Sequence, residues 1–176
     1  MIVVDLFAGI GYFSLVYAVH CNAKHVYCCE WNPHAVEALK QNAKLNHVEK
    51  KMTILFGDNR VVCPVNVAQH VNMGLIPSSL DSLSTACRAL DPNSDTLYLH
   101  IHENVNYYSQ INNSQQGPSK SIEEEYANTI KHKVKMEMSK QYPFVEWMVN
   151  VTDITCIKQY APHIYHFVFD ICCRHQ

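Results

Sequence analysis

Apolar runs bounded by turn-forming residues alternate with helix-periodic segments along residues 1–102. Met1–Leu6 is an apolar run carrying an acid near its end, the pattern of a strand buried on both faces of a parallel sheet. Phe7–Tyr12 reads as a glycine-containing turn, and Phe13–His20 is apolar and helix-compatible. Lys24–Glu30 reads as a second strand ending in a carboxylate. Asn32-Pro33 then opens a helix reaching about Leu45, with asparagine at the N-cap and proline at the first helical position. Met52–Phe56, His70–Leu75 and Thr96–His102 are the next strands, with a helix over Asp81–Leu90. Strand and helix in repeated alternation imply a parallel sheet with helices on both faces.

The pattern changes after residue 103. Asn104–Lys120 is polar and turn-rich and reads as a loop. Ile122–Gln141 reads as a charged helix whose glutamates come early and lysines late, an order that suits the helix dipole. Its charges, including Lys131, Lys133 and Lys135, are expected on a solvated face. Trp147–Tyr160 and His163–Cys173 are two β-rich runs joined only by about Ala161-Pro162, too little chain for a parallel crossover. The expected fold class is therefore α/β: a doubly wound, Rossmann-like sheet of the class I methyltransferase type, mostly parallel and closed by a C-terminal antiparallel hairpin.

With 176 residues and 48% hydrophobic content, the chain suits one domain with a substantial core. No apolar run approaches a membrane span, so no membrane partner is expected. Cys28-Cys29 and Cys172-Cys173 are adjacent pairs inside apolar runs, no C-x-x-C occurs, and the start has no signal-peptide shape. Free, buried thiols and a cytoplasmic setting follow as expectations. A net charge of −2 gives an RNA partner no compositional support.

Candidate chemistry gathers at strand ends. In Asp5-Leu6-Phe7-Ala8-Gly9-Ile10-Gly11, a Gly-x-Gly turn follows the first strand and lets backbone approach a ligand. Ser14 stands where a dinucleotide fingerprint has its third glycine, and Asp5 beside the turn would repel a pyrophosphate but suit a cation. S-adenosylmethionine has a sulfonium, an ammonium and no phosphate. Glu30 lies where an acidic ribose ligand belongs, about 20 residues beyond the glycine turn. Neighbouring Trp31 either packs on adenine or fills the helix–sheet layer. Asp58 and Asn59, after the third strand, can read adenine, although Gly57-Asp58-Asn59-Arg60 also suits an Asx turn. Gly74-Leu75-Ile76-Pro77-Ser78-Ser79 ends a central strand and is the expected floor under the reacting atoms, with Pro77 and Ser78 as substrate-facing candidates. It offers no strong base, and no catalytic residue is assigned. His100 and His102 share one strand face, and His163 and His166 flank the hairpin. They are read as structural, and no metal is expected.

These motifs, with Cys29-Glu30-Trp31-Asn32-Pro33, Leu99-His100-Ile101-His102 and Tyr160-Ala161-Pro162-His163, resemble the tRNA wybutosine-synthesising aminocarboxypropyltransferases. The resemblance runs almost end to end, weakest over Asn104–Tyr142. The sister tRNA guanine N1-methyltransferases share the first three motifs but have Asn-Leu-Pro where this chain has Gly74-Leu75-Ile76-Pro77. The resemblance implies transfer of the 3-amino-3-carboxypropyl group of S-adenosylmethionine to C7 of 4-demethylwyosine, at position 37 in the anticodon loop of tRNA(Phe). The cofactor-binding set would be Asp5, Phe7, Ala8, Gly9, Gly11, Glu30, Trp31, Asp58 and Asn59. It further implies that residues 1–176 are the catalytic domain of a longer chain whose tRNA-binding region lies upstream. Gln69-His70 departs from the charged pair expected before strand four. The alternatives are guanine-37 N1-methyl transfer and a truncated, inactive cofactor-binding module; an NAD-binding domain is disfavoured by Asp5, Ser14 and the hairpin.

Overall fold

The computed structural model describes residues 1–107 and 122–175. Among these described residues, seven strands form one sheet: β1 (Ile2–Asp5), β2 (His25–Glu30), β3 (Met52–Phe56), β4 (His70–Met73), β5 (Thr96–Asn106), β6 (Trp147–Ala161) and β7 (Ile164–His175). Their order is β3-β2-β1-β4-β5-β7-β6. The first five are parallel to one another, while β7 runs antiparallel to both β5 and β6. The doubly wound sheet and its closing hairpin match the sequence expectation. The order reverses direction between β1 and β4, the topological switch point where ligands of such sheets bind.

Helices cover both faces. α1 (Tyr12–Val19) and α2 (Pro33–Leu45) pack on one side, where Val3, Val26, Cys28, Leu39 and Ala43 form a core. On the other side, α4 (Leu83–Ala89) and α5 (Ile122–Gln141) cover Leu97, Leu99, Ile101, Phe169 and Ile171. α5 inserts Ala127, Ile130, Val134 and Met138, a helical 3-4-4 spacing, and leaves Lys133 and Lys135 exposed. The expected solvated face is present.

Three elements differ most from expectation, while β4 ends at Met73 and β7 runs on to His175, two residues from their expected ends. β5 continues through Asn106, four residues beyond the predicted end, because Glu103 and Val105 go on facing the core while Asn104 and Asn106 alternate away from it. The predicted loop thus begins inside a strand, and most of the remainder lies outside the described residues. A one-turn helix, α3 (Asn59–Val62), forms where only a turn was expected; Asp58 caps it by accepting from the Arg60 N–H. The Asp81–Leu90 helix divides into a 3₁₀ turn over Leu80–Ser82 and α4.

Gly11 is required by conformation and space together. It has φ +105°, and a Cβ there would lie 2.7 Å from Leu39 Cδ1. We expect Gly11→Ala to destabilise the fold by at least about 1 kcal/mol, read from the chemical-denaturation midpoint. An unchanged midpoint would contradict this packing account.

Candidate active site

A cleft of about 670 Å³ opens over the C-terminal ends of the parallel strands. Its wall contains Leu6 and Phe7 after β1, Cys29, Glu30 and Trp31 at β2, and Gly57, Asp58, Asn59 and Arg60 after β3. Gly74 and Leu75 after β4, with Asp81 and Ser82, complete it. The volume lies within the range of small-molecule sites.

Glu30 organises the centre. Its Oε2 accepts from the Gly9 N–H (2.8 Å) and its Oε1 from the Asn32 N–H (2.7 Å). The carboxylate is thus fixed between the glycine turn and the start of α2, with lone pairs left for ligand hydroxyls. Phe7 lines the cleft, whereas Ala8 is buried and donates its N–H to the Cys29 carbonyl (3.0 Å). Gly9 and Gly11 shape the turn; a Cβ on Gly9 would meet nothing within 4 Å, so open space adjoins its backbone.

Asp5 is placed differently from expectation. It is fully buried behind the turn, accepting from Ser14 Oγ (2.7 Å), Asn72 Nδ2 (3.0 Å) and the Phe7 N–H (3.3 Å). Burial raises its pKa, against the lowering effect of these donors. It therefore braces the turn and does not line the cleft. Ser14 is a serine because its hydroxyl completes this buried cluster.

Asp58 and Asn59 also have protein partners. Arg60 forks onto the Asp58 carboxylate and holds it well below its ordinary range, at about 2. Asn59 donates to the Leu6 carbonyl (3.1 Å) and accepts from Ser82 Oγ (3.3 Å), tying the end of β1 to the segment before α4. The Asx-type geometry and the place in the cleft wall coexist. Trp31 is 77% exposed at the mouth, so it does not fill the helix–sheet layer. Pro77 and Ser78 lie outside the wall, and the Ser78 hydroxyl turns to Glu103 (2.9 Å). Asp81 and Ser82 were not singled out in the sequence, since no motif marks them.

The description "TRM5/TYW2 methyltransferase domain" belongs to a family model that matches residues 1–135. The chain belongs to this family. A tRNA wybutosine-synthesizing protein 2 homolog of Danio rerio is 40% identical over 190 residues, covering 98% of this chain and 46% of that protein. The M. jannaschii TYW2 structure in complex with AdoMet is 29% identical with a TM-score of 0.77, covering 99% of this chain and 69% of that one. The P. horikoshii TYW2 structure in complex with MeSAdo is 28% identical with a TM-score of 0.74, covering 98% and 56%. The chain spans less than half the length of the curated Danio rerio relative and of a second, a tRNA wybutosine-synthesizing protein 2/3/4 of Arabidopsis thaliana.

In this TRM5/TYW2 domain the histidines form hydrogen-bonded chains on the α1 side of the sheet. Asp170 Oδ1 meets His100 Nδ1 (2.7 Å), and His100 Nε2 meets His70 Nδ1 (3.0 Å). His102 pairs with His166 (3.0 Å) and meets Phe13 edge-on. Spacing along the chain gave no carboxylate partner; pairing of β5 with β7 supplies Asp170. Gln69 is also explained: its side chain accepts from the Ile2 N–H (2.7 Å) and donates to Ser94 (3.1 Å). Among the described residues, no group of three or more His, Cys, Asp or Glu side chains is arranged to hold a metal ion. All eight cysteines are free; Cys21 and Cys156 are exposed, and the other six are buried as expected.

Burial, reinforced by the neighbouring histidines, lowers the pKa of His70 and His102 to about 4. Unfolded histidine titrates near about 6.5. The unfolded chain therefore binds more protons between these values, so stability is full above about pH 6.5 and is lost as pH falls toward about 4. We expect thermal unfolding to show this loss, and His70→Gln with His102→Gln to flatten it. An identical pH slope in the double variant would contradict the assignment.

Proposed function

We propose that this chain is the S-adenosylmethionine-binding catalytic domain of a tRNA-modifying transferase. In this reading it transfers the 3-amino-3-carboxypropyl group to C7 of 4-demethylwyosine at position 37 of tRNA(Phe), in wybutosine biosynthesis, and leaves 5′-methylthioadenosine. The observation that carries the proposal is the cleft at the switch point, with Glu30 fixed at the end of β2, in a chain of the TRM5/TYW2 family. The names of the relatives, and the AdoMet and MeSAdo in the two TYW2 structures, support the same donor and co-product.

The wall residues fit such a ligand. Glu30 would accept the ribose hydroxyls, with adenine between Trp31 and the Asp58–Asn59 segment. The methionine portion then extends over the ends of β1 and β4, beside Phe7, Gly74 and Leu75. The donor supplies an activated sulfonium. Attack by the base carbon on the methylene carbon of the tail forms a C–C bond, the C–S electron pair returns to sulfur, and the C7 proton is lost. The protein's contribution is to place that methylene in line with the nucleophile. Free cysteines suit the proposed cytoplasmic setting, and no helix among the described residues is long and apolar enough to cross a membrane.

The family description names two enzymes, so methyl transfer to guanine-37 is the competing reading. Incubation with hypomodified tRNA(Phe) and S-adenosylmethionine labelled either in the carboxyl carbon or in the methyl group separates them. Carboxyl label in the tRNA is expected; label arriving only from the methyl group would contradict the proposal.

A further inference from the structure

Glu103 is a fully buried carboxylate that plays no part in the scheme above. It lies in β5 on the face covered by α5 and takes three donors. Its Oε1 accepts from Ser78 Oγ (2.9 Å) and the Ser79 N–H (2.8 Å), and its Oε2 accepts from the Tyr126 hydroxyl (3.2 Å). Burial raises its pKa, and these donors act in the opposite direction. Two further bonds fasten the same stretch to the strand: the Asn104 N–H donates to the Pro77 carbonyl (2.8 Å), and Ser79 Oγ donates to the His102 carbonyl (3.2 Å).

A buried carboxylate is costly, and an apolar residue would fill a core position with less desolvation. What the carboxylate adds is direction, because it fixes where residues 78 and 79 stand relative to β5 and α5. Those residues end the short segment that begins at the cleft wall with Gly74 and Leu75. With adenosine over the ends of β2 and β3, the rest of the ligand lies over β1 and β4, against that wall.

We propose that Glu103 is a positioning residue that sets the Gly74–Leu75 wall and so orients the methionine tail of S-adenosylmethionine. The inference rests on the reading of the cleft as the S-adenosylmethionine site. Its signature is selectivity: the tail is present in S-adenosylmethionine and absent from 5′-methylthioadenosine, while the adenosine half is common to both.

The test is titration calorimetry of both ligands against the chain and its Glu103→Ala and Glu103→Gln variants, with thermal melts to establish folding. We expect Glu103→Ala to weaken S-adenosylmethionine about tenfold and 5′-methylthioadenosine by less than about twofold. Glu103→Gln, which keeps one acceptor for the Ser79 N–H, is expected to restore part of the loss. Equal weakening of both ligands, or of neither, would overturn the proposal while leaving the cofactor reading intact. Failure of the unsubstituted chain to bind either ligand would overturn both. Should Glu103→Ala not fold, Tyr126→Phe and Ser78→Ala each remove one donor, and the same selectivity decides.

Discussion

Replacing Glu30 by alanine is expected to weaken S-adenosylmethionine binding by about 1–3 kcal/mol, the scale of hydrogen bonds to a charged group. The carboxylate receives the Gly9 and Asn32 N–H groups and leaves lone pairs directed at the cleft. Removing it takes away the proposed ribose acceptor and also releases the Gly9 and Asn32 N–H donors that it holds. Glu30→Gln is informative beside it, because an amide nitrogen on either side would face a backbone N–H and turn one of the two bonds into a donor–donor contact. Titration calorimetry of both variants, alongside melting temperatures, separates lost ligand contact from a loosened turn. Unchanged affinity in Glu30→Ala would remove Glu30 from the site.

The largest effect on stability is expected at Phe169. It is fully buried in β7, opposite Ile101 of β5 and Ile154 of β6. Its ring stacks on Tyr126 of α5 (centroids 5.8 Å) and on Phe167 (6.0 Å). An alanine there leaves a cavity between the sheet and α5, and we expect a loss of about 3–5 kcal/mol by chemical denaturation. Tyr126 also donates to Glu103, so the same cavity reaches the support of the Gly74–Leu75 wall. A cost below about 1 kcal/mol would mean that the site collapses around the smaller side chain and that Phe169 is not a pillar of this layer.

Much of this architecture was legible in the order of residues. β1, β2 and β3 announce themselves because both sheet faces are covered, so their apolar runs are nearly continuous, whereas β4 and β5 alternate apolar residues with His70, Asn72, His100 and His102. The closing hairpin was legible because its connection is too short for a crossover. The helix of Ile122–Gln141 carried enough periodicity and end-charge for its C-terminal end at Gln141 to be placed correctly. The extension of β5 was hidden because His102, Glu103 and Asn104 are polar, and their partners, His166, Ser78, Ser79 and Pro77, lie far away in sequence. α3 is a single turn, below the length at which periodicity means anything.

The site divides along the same line. Glu30 ends β2 and Trp31, Asp58 and Asn59 follow strand ends, where topology alone predicts a ligand crevice, and all four line the cleft. Asp5 was assigned to the ligand because its charge suits a cation, but its direction depends on Ser14 and Asn72, contacts that only the folded sheet supplies. Asp81 and Ser82 reach the cleft through the path of the chain after β4, for which no local motif exists.

The most direct test of the proposed chemistry is the identity of the small co-product. The chain, supplied with S-adenosylmethionine and hypomodified tRNA(Phe), would be sampled by mass spectrometry. Formation of 5′-methylthioadenosine is the predicted result, since aminocarboxypropyl transfer leaves the methyl group on sulfur. Formation of S-adenosylhomocysteine would mean methyl transfer and would contradict the account.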